Sequence, residues 1–191
     1  MNVLYVNSTV RKASRTAELA GYFLKKLGTD FTEVRPGELG LPTVDSKFLE
    51  MRDKACSSGD YSHEVFLAAK QFASADIIVI AAPFWDLSFP ASLKQYFEHI
   101  NVLGLTFDYS PQGEPISLCK AHTLVYITTA GGPIFSDEFG YGYVKALAQT
   151  FYGIKHIVEF KAQGLDIDGS DVKQIMAGTV SEIDNYFEKM E

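Results

Sequence analysis

The sequence predicts an open α/β sheet of five parallel strands, doubly wound in the order 2-1-3-4-5 with helices on both faces. Three observations predict it. Strand-like and helix-like stretches alternate along the chain, the pattern that parallel βαβ units produce. The stretch Asp76-Ile77-Ile78-Val79-Ile80-Ala81-Ala82 is apolar at every position after its first, as a central strand covered on both faces must be. Three strands are followed by turns rich in hydroxyls, aromatics or glycine. Sheets of this order bind ligands there, beyond the carboxyl ends of the strands at the switch between the first and third.

Taken in order, Val3-Leu4-Tyr5-Val6 is the first strand, and an amphipathic helix runs from Ala17 to Leu27, capped by Ser14 or Thr16. Asp30 to Val34 is a second strand closed by Pro36-Gly37. Gly40 to Gly59 has no sustained period; it reads as a long connection of the kind that serves as a lid, with a helical turn or two over Lys47–Lys54. Tyr61 to Phe72 reads as helix through Val65, Leu67, Ala68, Ala69 and Phe72. After the central strand, Pro90 suits the first position of a helix over Ala91–Leu103. Gly104 to Ser117 is an excursion, with a strand at Thr106–Tyr109 and a turn at Pro111-Gln112-Gly113. A fourth strand over Ala121–Thr129, a helix over Val144–Tyr152 and a strand over Ile154–Phe160 follow. A helix over Ser170–Lys189, capped by Ser170, ends the chain.

Residues 1–191 read as one domain, long enough to bury a core without disulfides or metals. No apolar run approaches the roughly 18 residues of a membrane span. The N-terminus reads as strand rather than signal peptide, so the cytoplasm is the expected location. Cys56 and Cys119 lie far apart and outside any CxxC pattern, which makes them reduced structural thiols. His63, His99, His122 and His156 show no metal-binding spacing. A net charge of −7 argues against nucleic acid or an anionic membrane as partner. Arg11, Lys12 and Arg15 nevertheless make the first loop locally basic.

Three loops should meet at the switch point: Asn7–Thr16, Pro83–Phe89 and Thr129–Pro133. The first carries Ser8, Thr9, Ser14 and Thr16 at a helix start, where free N–H groups and the helix dipole hold an anion such as a phosphate. The second carries Phe84 and Trp85, flat surfaces for an aromatic ring or for a packed interface. The third carries Gly131 and Gly132, which admit close backbone approach or simply make a turn. Together the walls suit a ligand with a phosphate at one end and a planar heteroaromatic at the other, either flavin mononucleotide (FMN) or another mononucleotide. The chain lacks a GxSxG elbow, a Walker loop and a Cys-x5-Arg phosphatase motif.

With these residues in view, the chain resembles the flavodoxin-like FMN-dependent NADH:quinone oxidoreductases, also called FMN-dependent azoreductases. Ser8-Thr9 with Ser14-Arg15-Thr16 is similar to that family's phosphate loop. Ala82-Pro83-Phe84-Trp85-Asp86-Leu87 is similar to its flavin-ring loop, and Pro90 to Phe97 to the helix behind it. Gly104 to Tyr109, Thr129-Ala130-Gly131-Gly132 and Leu41 to Asp45 match in order and spacing.

The resemblance implies a homodimer with one FMN per subunit. It also implies a ping-pong exchange in which NADH or NADPH reduces FMN and a quinone or azo compound reoxidises it, with no indispensable side-chain acid or base. By position it gives the phosphate to Thr9, Ser14, Arg15 and Thr16 with Ser8 adjoining. Pro83, Phe84, Trp85, Asp86 and Leu87 run along the flavin ring, and Thr129, Ala130, Gly131 and Gly132 approach from the other side. Three features depart from the family pattern, one of them the Gly113-Glu114-Pro115 turn, which differs from the usual Gly-Pro-x-Gly form. Asp86 stands where relatives often carry Asn; as a carboxylate it can accept the flavin N3–H but repels charge at N1/O2. Ala130 stands where relatives often carry Arg. A flavodoxin-like electron carrier without a substrate of its own is the alternative, and a flavin-free α/β protein a third.

Overall fold

The computed structural model describes residues 1–189. Among these residues seven strands and six helices follow in the order β1 Val3–Asn7, α1 Arg15–Leu27, β2 Phe31–Val34, α2 Ser46–Ser58, α3 Leu67–Ser74, β3 Ile77–Ala81, α4 Ala91–Ile100, β4 Phe107–Tyr109, β5 Pro115–Ser117, β6 Thr123–Thr129, α5 Tyr141–Thr150, β7 His156–Ala162 and α6 Val172–Glu188. The central sheet runs β2-β1-β3-β6-β7 with every neighbouring pair parallel. Counting its own strands alone, that is the order 2-1-3-4-5. β4 and β5 pair antiparallel as a separate hairpin between α4 and β6.

The period of two in each strand divides the core into two layers. Leu4, Val6, Ile78, Ile80, Leu124 and Tyr126 pack with α3, α4 and α5. Val3, Tyr5, Ile77, Val79, Val125 and Ile127 pack with α1 and α6. β3 is buried throughout, so it reads as an unbroken apolar run. Each buried Phe, Leu or Ile contributes roughly 1.5–3 kcal/mol of burial, which makes this doubly covered sheet the rigid base of the strand ends. Burial also pushes the Cys119 thiol up to about 12, and both cysteines are free. No helix among the described residues is long and apolar enough to cross a membrane.

Several element limits differ from the sequence expectation, each for a local reason. The segment expected to be largely irregular between Gly40 and Gly59 contains the 13-residue α2. Asp45 caps it, accepting from Phe48 N, and Gly59 ends it in the left-handed conformation. Its apolar face is narrow, with only Phe48 and Ala55 buried, so periodicity could not signal it. The helix expected from Tyr61 begins later, as a 3-10 turn over Glu64–Phe66 leading into α3. Pro90 is the residue before α4 rather than its first, with ψ 140°. α4 ends at Ile100 and α5 starts at Tyr141. Asp171, not Ser170, caps α6, accepting from Gln174 N.

Candidate functional site

The strand ladder does not stop where the strands do. Ser8 N donates to Ala81 O at 2.8 Å, Phe84 N to Thr129 O at 3.0 Å, and Ala130 N to Ala162 O at 2.9 Å. The loops after β1, β3, β6 and β7 are thereby laced side by side above the sheet. Between them lies a cavity of about 250 Å³. Its floor is Thr129 and Ala130, with Ser14, Arg15 and Thr16 on one side and Pro83, Phe84 and Trp85 on another.

One end of the cavity is a helix start. Ser14 has extended backbone, and its Oγ accepts from Ala17 N at 3.2 Å. The first intrahelical bond runs from Glu18 N to Ser14 O, which leaves the N–H groups of Arg15 and Thr16 directed out of the helix end. Thr16 is buried and hydrogen-bonds through Oγ1 to Thr129 Oγ1 at 2.6 Å, which fixes α1 to the end of β6. Arg11 and Arg15 add positive charge. Arg15 is held in turn: Nη2 donates to Asp166 Oδ1 at 2.7 Å and Nη1 to Leu165 O at 3.1 Å.

The opposite end is aromatic. Trp85 and Ser88 exchange both backbone hydrogen bonds, at 2.9 and 2.8 Å, across a two-residue turn. Asp86 and Leu87 occupy that turn with φ 51° and 66°. Both values lie in the left-handed region that a type I′ turn requires and that Asn-Gly satisfies more easily. Ser88 Oγ donates to Phe139 O at 2.6 Å, which ties the turn to the segment before α5. Trp85, 38% exposed, is the flat surface left open at this end.

The structure brings together Ser14, Arg15, Thr16, Pro83, Phe84, Trp85, Thr129, Ala130 and Gly131 of the residues expected at the site. Ser8 and Thr9 stand apart, lining a separate depression with Arg35, Gly37, Glu38 and Ser92. Ser8 N prolongs the β1–β3 ladder and buries its hydroxyl, which has no partner among the described residues, while Thr9 Oγ1 donates to Asn7 Oδ1 at 2.7 Å. Asp86 and Leu87 are exposed at the tip of their turn, and neither they nor Gly132 line the cavity. A fourth wall was missed by sequence reasoning: Leu165 and Asp166, after β7. Leu165 N donates to Ala130 O and Asp166 N to Gly131 O, at 3.2 and 2.8 Å. A Cβ on Gly131 would stand 2.4 Å from Asp166 Oδ2, so this glycine makes room for the carboxylate. No local sequence signal marks it, because the fold alone brings Asp166 to the start of α1.

Backbone N–H groups, hydroxyls and guanidinium are a donor set for a phosphate monoester, and the half-open indole suits a planar ring. The residues present therefore fit FMN. Among the described residues no cluster of three or more metal-ligating side chains occurs.

Comparison with known proteins agrees with the fold. A family model described as flavodoxin-like fold matches residues 1–187. An "FMN-dependent NADH:quinone oxidoreductase 2" of Clostridium acetobutylicum is 42% identical over 123 residues, 62% of this chain and 60% of the relative. An "FMN-dependent NADH:quinone oxidoreductase" of Coprothermobacter proteolyticus is 34% identical over 192 residues, 94% of each chain. The crystal structure of an FMN-dependent NADH-azoreductase from Bacillus anthracis in complex with FMN superposes with a TM-score of 0.82. It shares 20% identity, and the match covers 99% of this chain and 98% of that one.

Proposed function

The chain belongs to the flavodoxin-like fold family, and from that premise we propose that it is an FMN-dependent NADH:quinone oxidoreductase of the azoreductase type. The observation that carries this reading is the meeting, in one cavity, of the α1 start with the aromatic loop after β3. The names of the relatives, FMN-dependent NADH:quinone oxidoreductases, point to the same chemistry. FMN, when bound, supplies the two-electron transfer from NADH or NADPH to a quinone or azo acceptor.

The chain's own residues bind, orient and shield. The N–H groups of Arg15 and Thr16 at the helix start, with Ser14, Arg15 and Arg11, would hold the phosphate. Thr16 and Thr129, locked to each other, fix the distance between the helix start and the sheet. Phe84 and Trp85 line the ring, and Gly131 lets the backbone after β6 come close. Asp86, Leu87 and Gly132 adjoin this set along the chain from outside the cavity lining, and Ser8 and Thr9 line the separate depression that shares Val10 with it.

A cavity of about 250 Å³ is small beside the roughly 300–1,000 Å³ of pockets that enclose a drug-sized ligand. Its lining would hold the phosphate at the start of α1, with Phe84 and Trp85 left to line the ring. Exposed Leu87, Phe135 and Phe139 lie in the turn and in the neighbouring segment joined to it by Ser88. A second copy covering this apolar edge completes the site, so we read the working form as a cytoplasmic homodimer of single-domain subunits. Sedimentation equilibrium checks the dimer.

The test of the activity is anaerobic stopped-flow absorbance of the FMN-reconstituted protein, mixed first with NADH and then with a quinone. Rapid bleaching of the visible flavin band, then rapid recolouring by the quinone, is expected. Bound flavin that NADH does not bleach would overturn the reading.

A further inference from the structure

Arg15 has two neighbours of opposite kind. On one side it lines the anion cavity, with Ser14, Thr16 and Gly131. On the other it lines a larger groove of about 610 Å³ between α1 and α6, and it is the one residue common to the two linings. The groove is lined by Leu19, Tyr22, Val172, Met176 and Val180 together with the charged Glu18, Lys25 and Lys173. An apolar trough with an aromatic flank is suited to a flat base. Arg15 borders both, and its side chain is held in place. Its guanidinium is fastened across the gap to Asp166 Oδ1 at 2.7 Å and to Leu165 O at 3.1 Å. The clasp joins the start of α1 to the loop after β7, and Gly131 makes room beneath for the Asp166 carboxylate.

We propose that the Arg15–Asp166 clasp selects the length of the flavin cofactor: it ends the cavity behind the first phosphate and so admits FMN while refusing flavin adenine dinucleotide (FAD). This inference rests on the FMN reading of the cavity. Arg15 keeps donors beyond the two it spends on Asp166 and Leu165, so it can bind a terminal phosphate while remaining clasped. A dinucleotide makes a different demand. Its phosphate is esterified onward, and the next phosphate, ribose and adenine must leave the cavity past the helix start. The trough between α1 and α6 adjoins that exit, and reaching it means displacing Arg15 from Asp166. The Asp166 carboxylate also repels a second phosphate brought alongside it. Both residues are thereby specificity-determining for the cofactor, and they act before any hydride moves.

The test is flavin binding to the full chain stripped of cofactor, followed by fluorescence with FMN and with FAD. Three proteins are compared: the wild type, Arg15→Ala, and Arg15→Ala combined with Gly21→Phe. Gly21 lies on α1, lines the trough and not the cavity, and a Cβ built there meets nothing within 4 Å, so the phenylalanine adds bulk at the trough and outside the cavity. The wild type is expected to prefer FMN to FAD by about a hundredfold or more, and Arg15→Ala to lower that preference about tenfold, the equivalent of roughly 1.4 kcal/mol. Adding Gly21→Phe is expected to restore the preference while leaving the FMN affinity of Arg15→Ala unchanged. Asp166→Asn, which retains shape but weakens the clasp, is expected to fall between wild type and Arg15→Ala. An Arg15→Ala protein that binds FMN and keeps the wild-type preference would overturn the proposal. So would a wild type that binds both flavins equally, or a lowered preference that the Gly21→Phe addition leaves in place. Wild-type protein that binds neither flavin would instead strike at the FMN reading, and the inference would fall with it.

Discussion

At the α1 end of the cavity, Ser14 caps a regular helix, Thr16 is buried against Thr129, and the backbone lies in ordinary regions. At the other end, the chain turns at Trp85–Ser88 through two non-glycine residues with positive φ, and Trp85, Asp86 and Leu87 stand exposed. The phosphate end is thus built by the same interactions that stabilise the fold, and it exists before any ligand arrives. The ring end holds its shape against local strain, roughly 1–2 kcal/mol for a residue such as Leu87 in the left-handed region. Affinity should therefore come mainly from the first end, whereas the second should be free to vary with the acceptor.

The largest expected effect sharpens this contrast directly. Riboflavin, which has the ring but no phosphate, is expected to bind at least ~100-fold more weakly than FMN, because it forfeits the charge-assisted hydrogen bonds at the helix start. Parallel flavin titrations of cofactor-free protein check it. Next in size is Thr16→Val, which strands the buried Thr129 hydroxyl and should cost about 1–3 kcal/mol of unfolding free energy in urea. Ser14→Ala removes the cap bond to Ala17 N and should lower stability by about 1 kcal/mol. It should also weaken FMN, so a melting curve and a titration move together. The smallest effect has the opposite sign. Leu87→Gly relieves a left-handed leucine, and against the entropy that glycine adds to the unfolded chain it should raise stability by less than ~1 kcal/mol. If Leu87→Gly destabilised the protein as much as Ser14→Ala, the contrast between the two ends would be lost.

The same contrast explains what could be read from the sequence. The buried strand from Ile77 to Ala81 and the hydroxyl-rich helix start announce themselves because propensity, burial and capping all agree there. The sheet order and the meeting of three loops follow from the alternation of elements. Contacts made by folding alone were not legible. Asp166 reaches Arg15 from 151 positions away, and nothing in its local pattern fixes that approach. Ser8 and Thr9 look like phosphate ligands by composition, yet Ser8 stays in register with β3 and Thr9 folds back onto Asn7. The left-handed Asp86-Leu87 pair carries no Gly or Asn to mark it, so the turn that presents Trp85 is visible only in the backbone angles. α2 was hidden for the reverse reason, having a cap and a stop but almost no buried face.

Trp85 is the single tryptophan of the chain, which makes the central claim measurable with its own fluorescence. If the cavity holds the phosphate at the start of α1 with the ring over Trp85, FMN should quench the indole emission in a saturable, one-to-one titration. Inorganic phosphate alone should leave the emission unchanged while weakening the apparent FMN affinity. Riboflavin quenching with the same affinity as FMN and indifferent to phosphate, or FMN binding that leaves the indole emission intact, would contradict the account.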